Sequence, residues 1–122
     1  MSEKVLIFGL DGGSWRVLRP AMEAGYMPFL AGLCAKGSSG ILHSTVPTIT
    51  PAAWSAFQTG LNPSSTGILN FTNWNKFSKK RSLVDSSSLP TTMWEVLSFA
   101  GQQCGLVNLP MTYPPRQING CT

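Results

Sequence analysis

Two short stretches of the chain are apolar at nearly every position rather than at alternate ones. Val5-Leu-Ile-Phe-Gly-Leu10 ends in Asp11-Gly12-Gly13, and Gly105-Leu-Val-Asn-Leu109 is cut off by Pro110. An unbroken apolar run bounded by turn residues predicts a strand covered on both faces, as in a parallel sheet. Residues 39–46 read as a further strand. Helical spacing fills the intervals. Ser14 stands where a cap is needed, Trp15, Leu18 and Met22 recur on one face, and Gly25 marks the stop. Pro28 opens a second short helix carrying Phe29, Leu30 and Leu33, closed by Gly37. A third helix begins at Pro51 and ends near Gly60, with a turn at Asn62-Pro63. Thr92-Met-Trp-Glu95 has the spacing of a capping box. It predicts a helix with Met93, Val96, Leu97 and Ala100 inward and Gly101 at the stop. Residues 67–87 are polar and aromatic without a period, which suits an irregular excursion or a β-hairpin.

Strands alternating with helices give an α/β class with a mostly parallel sheet. A chain of 122 residues holds one such domain, or a fragment of one, over positions 1–122. Only 11% of the residues are charged, against nine prolines and twelve glycines, so the expected surface is poor in charge and rich in turns. The net charge of +4 has one cluster, Lys76, Lys79, Lys80 and Arg81, beside Trp74 and Phe77. Such a run reads first as a solvated hairpin tip and second as a nucleic-acid contact. Nucleic acid is not the expected partner. Cys34, Cys104 and Cys121 have no metal-ligand spacing, and the apolar run at the start is too short for a leader or a membrane span. A cytoplasmic protein with no membrane partner is the resulting expectation.

The candidate chemistry lies beyond the carboxyl ends of the expected strands, where ligands bind in open α/β sheets. Asp11, Thr50 and Asn108 fall near such ends. A threonine hydroxyl holds its proton too tightly to attack at neutral pH and needs a base or a metal. The chain has one histidine, His43, and no Gly-x-Ser-x-Gly elbow, so a triad has no support. Metal activation is the more economical route, with Asp11 as a hard anionic ligand for zinc, manganese or magnesium. Thr50 also precedes a helix start, where the dipole favours a phosphoryl group. Bland readings stand beside these: threonine before proline is an ordinary N-cap, and aspartate before glycine is an ordinary turn residue.

Several ordered motifs together resemble one family. Val5-Leu-Ile-Phe-Gly-Leu-Asp-Gly12, Met27-Pro-Phe-Leu-Ala-Gly-Leu33, Ser44-Thr-Val-Pro-Thr-Ile-Thr-Pro-Ala-Ala-Trp54, Thr59-Gly-Leu-Asn-Pro63 and Gly67-Ile68 are similar to the amino-terminal part of type I phosphodiesterase/nucleotide pyrophosphatases, in the alkaline phosphatase superfamily. Gly105-Leu-Val-Asn-Leu-Pro-Met-Thr-Tyr-Pro-Pro115 and Ile118-Asn-Gly120 extend the likeness to the end of the chain, toward a branch of phosphohydrolases or phosphomutases. The resemblance implies an alkaline-phosphatase-like sheet flanked by helices, present here as an incomplete N-terminal portion. It implies Asp11 as a metal ligand and Thr50 as the metal-bound nucleophile that is transiently phosphorylated, with Thr48 next in line. Asn70 falls close to an asparagine that contacts the phosphoryl oxygen, and Thr66 replaces a frequent histidine. The implied cofactor is a pair of divalent metals, zinc in the first place and manganese or magnesium in the second. The implied substrate is a phosphate-ester small molecule or a nucleotide. The other ligands of that family, a second and third aspartate with their histidines, have no counterparts in a chain with two aspartates and one histidine. The chain alone is therefore expected to be incompetent, needing a missing C-terminal segment or a complementary chain. The rival expectation is a non-catalytic binding or interaction domain that keeps the fold.

Overall fold

The computed structural model describes residues 4–122, so the Met1-Ser-Glu3 start lies outside the described residues. They form two compact units, Met1–His43 and Ser44–Thr122.

In the first unit the expected helices form. α1 spans Trp15–Glu23, and its Ser14 cap accepts the Arg16 N–H at 3.3 Å. Trp15, Leu18, Ala21 and Met22 make its half-buried stripe, while Arg19 stacks 5.5 Å over the Trp15 ring. The helix closes in a Schellman motif: Tyr26 N–H donates to Ala21 O and Gly25 N–H to Met22 O. α2 spans Pro28–Lys36, with proline in its first turn as expected. Its half-buried stripe is Leu30, Ala31 and Cys34, whereas Phe29 and Leu33 face solvent.

Residues 5–10 depart from expectation. They carry no strand pairing, and Val5, Leu6 and Phe8 are each more than 80% exposed, at 84%, 89% and 82%. A strand exists only when a neighbour takes up its N–H and C=O groups, and the described residues give this run no such neighbour. The same holds for 39–46, which is irregular. None of the described residues of this unit is buried.

The second unit has the core. α3 spans Thr50–Thr59 and α4 Pro63–Thr66, each ended by a left-handed glycine, Gly60 and Gly67. β1, Thr72–Asn75, pairs antiparallel with β2, Lys80–Leu83, so the excursion at 67–87 contains a hairpin. A 3-10 turn at Ser86–Ser88 leads to α5, Met93–Phe99. Ile68, Val84 and Leu89 pack together with Met111 against them. Phe57 of α3 meets Trp94 of α5 at 6.2 Å between ring centroids, and Trp54 meets Phe57 edge-on at 5.7 Å. Trp94 is thus the buried residue of α5, and Val96 and Leu97 are exposed, at 57% and 42%, contrary to the sequence pattern.

The capping box on α5 is present. Thr92 N–H and the Thr92 hydroxyl both donate to Glu95 Oε2 at 2.8 Å. Arg116 closes the same corner from the other side. Its Nη1 donates to that carboxylate oxygen at 2.9 Å and to Pro90 O at 3.0 Å, and its Nη2 to Ser86 O and Leu89 O. Burial raises the Glu95 pKa, yet the Thr92 N–H, the Thr92 hydroxyl and Arg116 outweigh it and hold the carboxyl below the usual glutamate range.

The strand expected over 105–109 shrinks to β3, Cys104–Gly105, paired in parallel with β4, Gly120–Cys121. A Cβ on Gly120 would stand 1.8 Å from Cys104 O, so only glycine permits this pairing. Asn119 fixes the approach: its N–H donates to Ser98 Oγ at 2.9 Å and its Nδ2 to Gly101 O and Gln102 O, the carbonyls just past α5. Helices and small sheets agree with an α/β class. In place of one mostly parallel sheet, the described residues hold two two-stranded pieces, one of them antiparallel. No helix among them is long and apolar enough to cross a membrane.

Candidate functional site

Asp11 stands at the corner of a tight turn in the first unit. Gly13 N–H donates to Leu10 O at 3.2 Å across Asp11 and Gly12, and a Cβ on Gly13 would press within 2.9 Å of Leu10 Cβ. The turn leads straight to Ser14 and α1, so this exposed carboxylate sits just before a helix start.

Thr50 belongs to the second unit and is half-buried. The loop before it is shaped by proline: the Val46–Pro47 peptide is cis, and the Thr45 hydroxyl donates to Pro47 O at 2.9 Å. The N-cap of α3 is Ile49, with extended backbone (φ −126°, ψ 152°), which makes Thr50 the first helical residue and Pro51 the second. Thr50 therefore does not fill the capping position that its place before proline suggested. The reason is local: proline restricts the residue before it, yet Thr50 is already helical, and the turn from extended to helical backbone falls one residue earlier. The side chain at the first helical position stands at the positive end of the helix dipole, where a developing anion is favoured by about 0.3–1 kcal/mol. Thr48 is exposed on the loop.

Asn70 is exposed just before β1, and its Oδ1 accepts the Phe71 N–H at 2.8 Å. That oxygen serves its own backbone, which leaves the amide NH₂ as the end able to face an anion. Thr66 has a local role: its hydroxyl donates to Pro63 O at 3.4 Å and accepts the Ile68 N–H at 3.3 Å. Among the described residues no three of His, Cys, Asp and Glu stand close enough to hold a metal ion.

One pair of residues in α3 escaped the sequence reading. Ser55 and Gln58 are both fully buried, a turn apart on the inner face. Gln58 Nε2 donates to Pro110 O at 2.8 Å, tying α3 to the segment after β3. Gln58 Oε1 and Ser55 Oγ have no hydrogen-bond partner among the described residues. The visible signal was a polar residue at i and i+3 within Ala-Ala-Trp-Ser-Ala-Phe-Gln, the spacing of one helix face.

A family model for type I phosphodiesterase / nucleotide pyrophosphatase matches residues 5–122, nearly the whole chain. The chain belongs to that family. No curated protein and no solved structure gives a significant match. Members of the family are generally metal-dependent hydrolases of phosphate esters or nucleotides. The donor set of this chain does not fit a complete centre of that kind. A hard-cation site needs several oxygen or imidazole donors around one point, and no such group stands among the described residues. Asp11 supplies one carboxylate.

Proposed function

We propose that this chain carries the nucleophile-bearing part of a phosphodiesterase or nucleotide pyrophosphatase, with Thr50 as the attacking residue and Asp11 as one metal ligand. The observation that carries the reading is the family match over residues 5–122, joined to the placement of Thr50 inside α3 rather than at its cap. In the proposed step the Thr50 oxygen forms a bond to phosphorus while the bond from phosphorus to the leaving alcohol or nucleotide breaks. The hydroxyl proton leaves with the departing group or solvent. Water then cleaves the phosphothreonine and restores the hydroxyl. The amino end of α3 favours the extra negative charge that gathers on the phosphoryl oxygens. Asn70, through its NH₂ group, is the proposed further contact to those oxygens.

The same reading makes residues 1–122 the N-terminal portion of an alkaline-phosphatase-like domain in a cytoplasmic enzyme. Val5–Leu10 then takes a central place in a mostly parallel sheet once both its faces are covered. Zinc is the first choice of metal, with manganese or magnesium next. Donors beyond Asp11 come from polypeptide outside this chain, either further residues of the same protein or a complementary chain. A second reading, a non-catalytic binding domain of the same fold, is favoured by the donor inventory of two aspartates and one histidine.

The decisive experiment joins the chain to the polypeptide that supplies the remaining donors, adds zinc or manganese and an aryl phosphodiester, and follows both released phenol and phosphoryl mass on peptides. The expected product is a phosphoryl adduct confined to the peptide holding Thr50, lost in Thr50→Ala and kept in Thr50→Ser. Because Ile49 occupies the N-cap position, Thr50→Ala removes no threonine cap of the kind worth roughly 1 kcal/mol. Metal binding that ignores Asp11→Asn, together with no adduct at Thr50, would leave the binding-domain reading standing.

A further inference from the structure

The hairpin of β1 and β2 carries a pattern that phosphate-ester chemistry does not use. Thr72 pairs with Leu83, Trp74 with Arg81 and Asn75 with Lys80. Alternation along each strand therefore places Thr72, Trp74, Arg81 and Leu83 on one face. Most of that face is bare: Trp74 is 58% exposed and Leu83 79%, with Thr72 half-buried. Phe77, in the connecting loop, is 100% exposed. Local hydrogen bonds nonetheless shape the loop. Asn75 Oδ1 accepts the N–H of Phe77 at 2.9 Å and of Ser78 at 3.0 Å, and Lys79 turns the chain with φ 50°.

The charge around this ring is of one sign. Lys76, Lys79, Lys80 and Arg81 flank Phe77 along the chain, and the sequence has no aspartate or glutamate between Glu23 and Asp85. A free aromatic ring at a tip, cations beside it and a tryptophan further back match the layers of an anionic bilayer surface. The ring enters the acyl boundary, tryptophan sits among headgroups, and the cations meet the phosphates. Trp74 lies three residues from Phe77, at most about 10 Å along the chain, which is within the depth of about 5–10 Å that interfacial segments reach. Single-stranded nucleic acid asks for something else: rings set as stacking platforms along a basic groove. A narrow two-stranded ribbon has no groove, and Leu83, beside Trp74, gives a base no ring to stack on.

We propose that this hairpin docks the protein on anionic lipid surfaces, with Phe77 as the inserted wedge. Peripheral docking of this kind needs no membrane-spanning helix. It revises both the solvated-tip reading of the basic run and the expectation of no membrane partner, and it is independent of the assignment of Thr50.

The test is co-sedimentation of the full chain with vesicles of phosphatidylcholine alone and of phosphatidylcholine mixed with phosphatidylglycerol. Binding is expected only to the mixed vesicles and is expected to weaken as salt is added. Phe77→Ser is expected to lower the partition coefficient at least about tenfold, while Phe77→Leu retains it. The double change Lys76→Glu and Lys80→Glu is expected to lower it by about fivefold or more per position. Lys79 is left in place because of its left-handed backbone, and circular dichroism confirms that each variant folds. Failure to bind the mixed vesicles, binding unaffected by Phe77→Ser, or preference for a single-stranded oligonucleotide over the vesicles would each overturn the proposal.

Discussion

Glu95 shows how much of this fold turns on single side chains. One carboxylate oxygen takes the Thr92 N–H, the Thr92 hydroxyl and Arg116, and so joins a helix start to a distant loop. Its pKa is lowered in the folded state, so the carboxylate form is the one the fold prefers. The stabilisation is then fully present above the ordinary glutamate pKa and is lost as pH falls through the lower folded value. Thermal unfolding measured from neutral pH down to about pH 3 is expected to show an acid-side loss that Glu95→Gln largely removes. The Thr92–Glu95 half of this arrangement was legible in the sequence, because a capping box is a local pattern. Arg116 was not, since nothing nearby in sequence announces that it will meet Ser86, Leu89, Pro90 and Glu95. Thr50 shows the opposite failure. Its local pattern was clear and led to the wrong capping position, because the change of backbone direction happens at Ile49.

At the scale of elements, the helices were legible, and of the strands only the local hairpin within 67–87 was. Ser14, Gly25, Pro28, Gly37, Gly60 and Gly101 punctuate the helices where the sequence placed them, since caps and stops act within a turn of the residue that carries them. Strands depend on a partner distant in sequence, and Val5–Leu10 finds none among the described residues. The short parallel pair of β3 and β4 is the exception, and it depends on one missing side chain. Gly120→Ala would drive a methyl group into the Cys104 carbonyl. The expected outcome is a loss of about 1–3 kcal/mol in chemical denaturation, or release of the 118–122 segment from β3. Protection of the Cys104 and Leu106 amides, which donate to Asn119 O and Cys121 O, reads this directly.

At the scale of the molecule, the two units differ in what holds them. Ser44–Thr122 buries Ala52, Ile68, Leu89 and Trp94, whereas none of the described residues of Met1–His43 is buried. Local opening costs least where few apolar groups leave water. Hydrogen exchange on the isolated chain is therefore expected to label α1 and α2 well before α3 and α5. Equal protection across both units would mean that cover for the first unit already exists in solution. The family was legible because its motifs lie in order along the chain. A metal centre was not legible, since the sequence offers two aspartates and one histidine and no three of His, Cys, Asp and Glu gather among the described residues.

Asn119 also gives this protein a chemical age. An asparagine followed by glycine is the pair in which the glycine nitrogen closes most easily on the side-chain carbonyl, expelling ammonia, and water then opens the cyclic imide to leave an acid. Here the lost NH₂ group is the donor to Gly101 O and Gln102 O. A carboxylate in its place would confront two carbonyl oxygens at the negative end of α5. Stored protein that deamidates at this one position would shed its last strand without a single change in its gene.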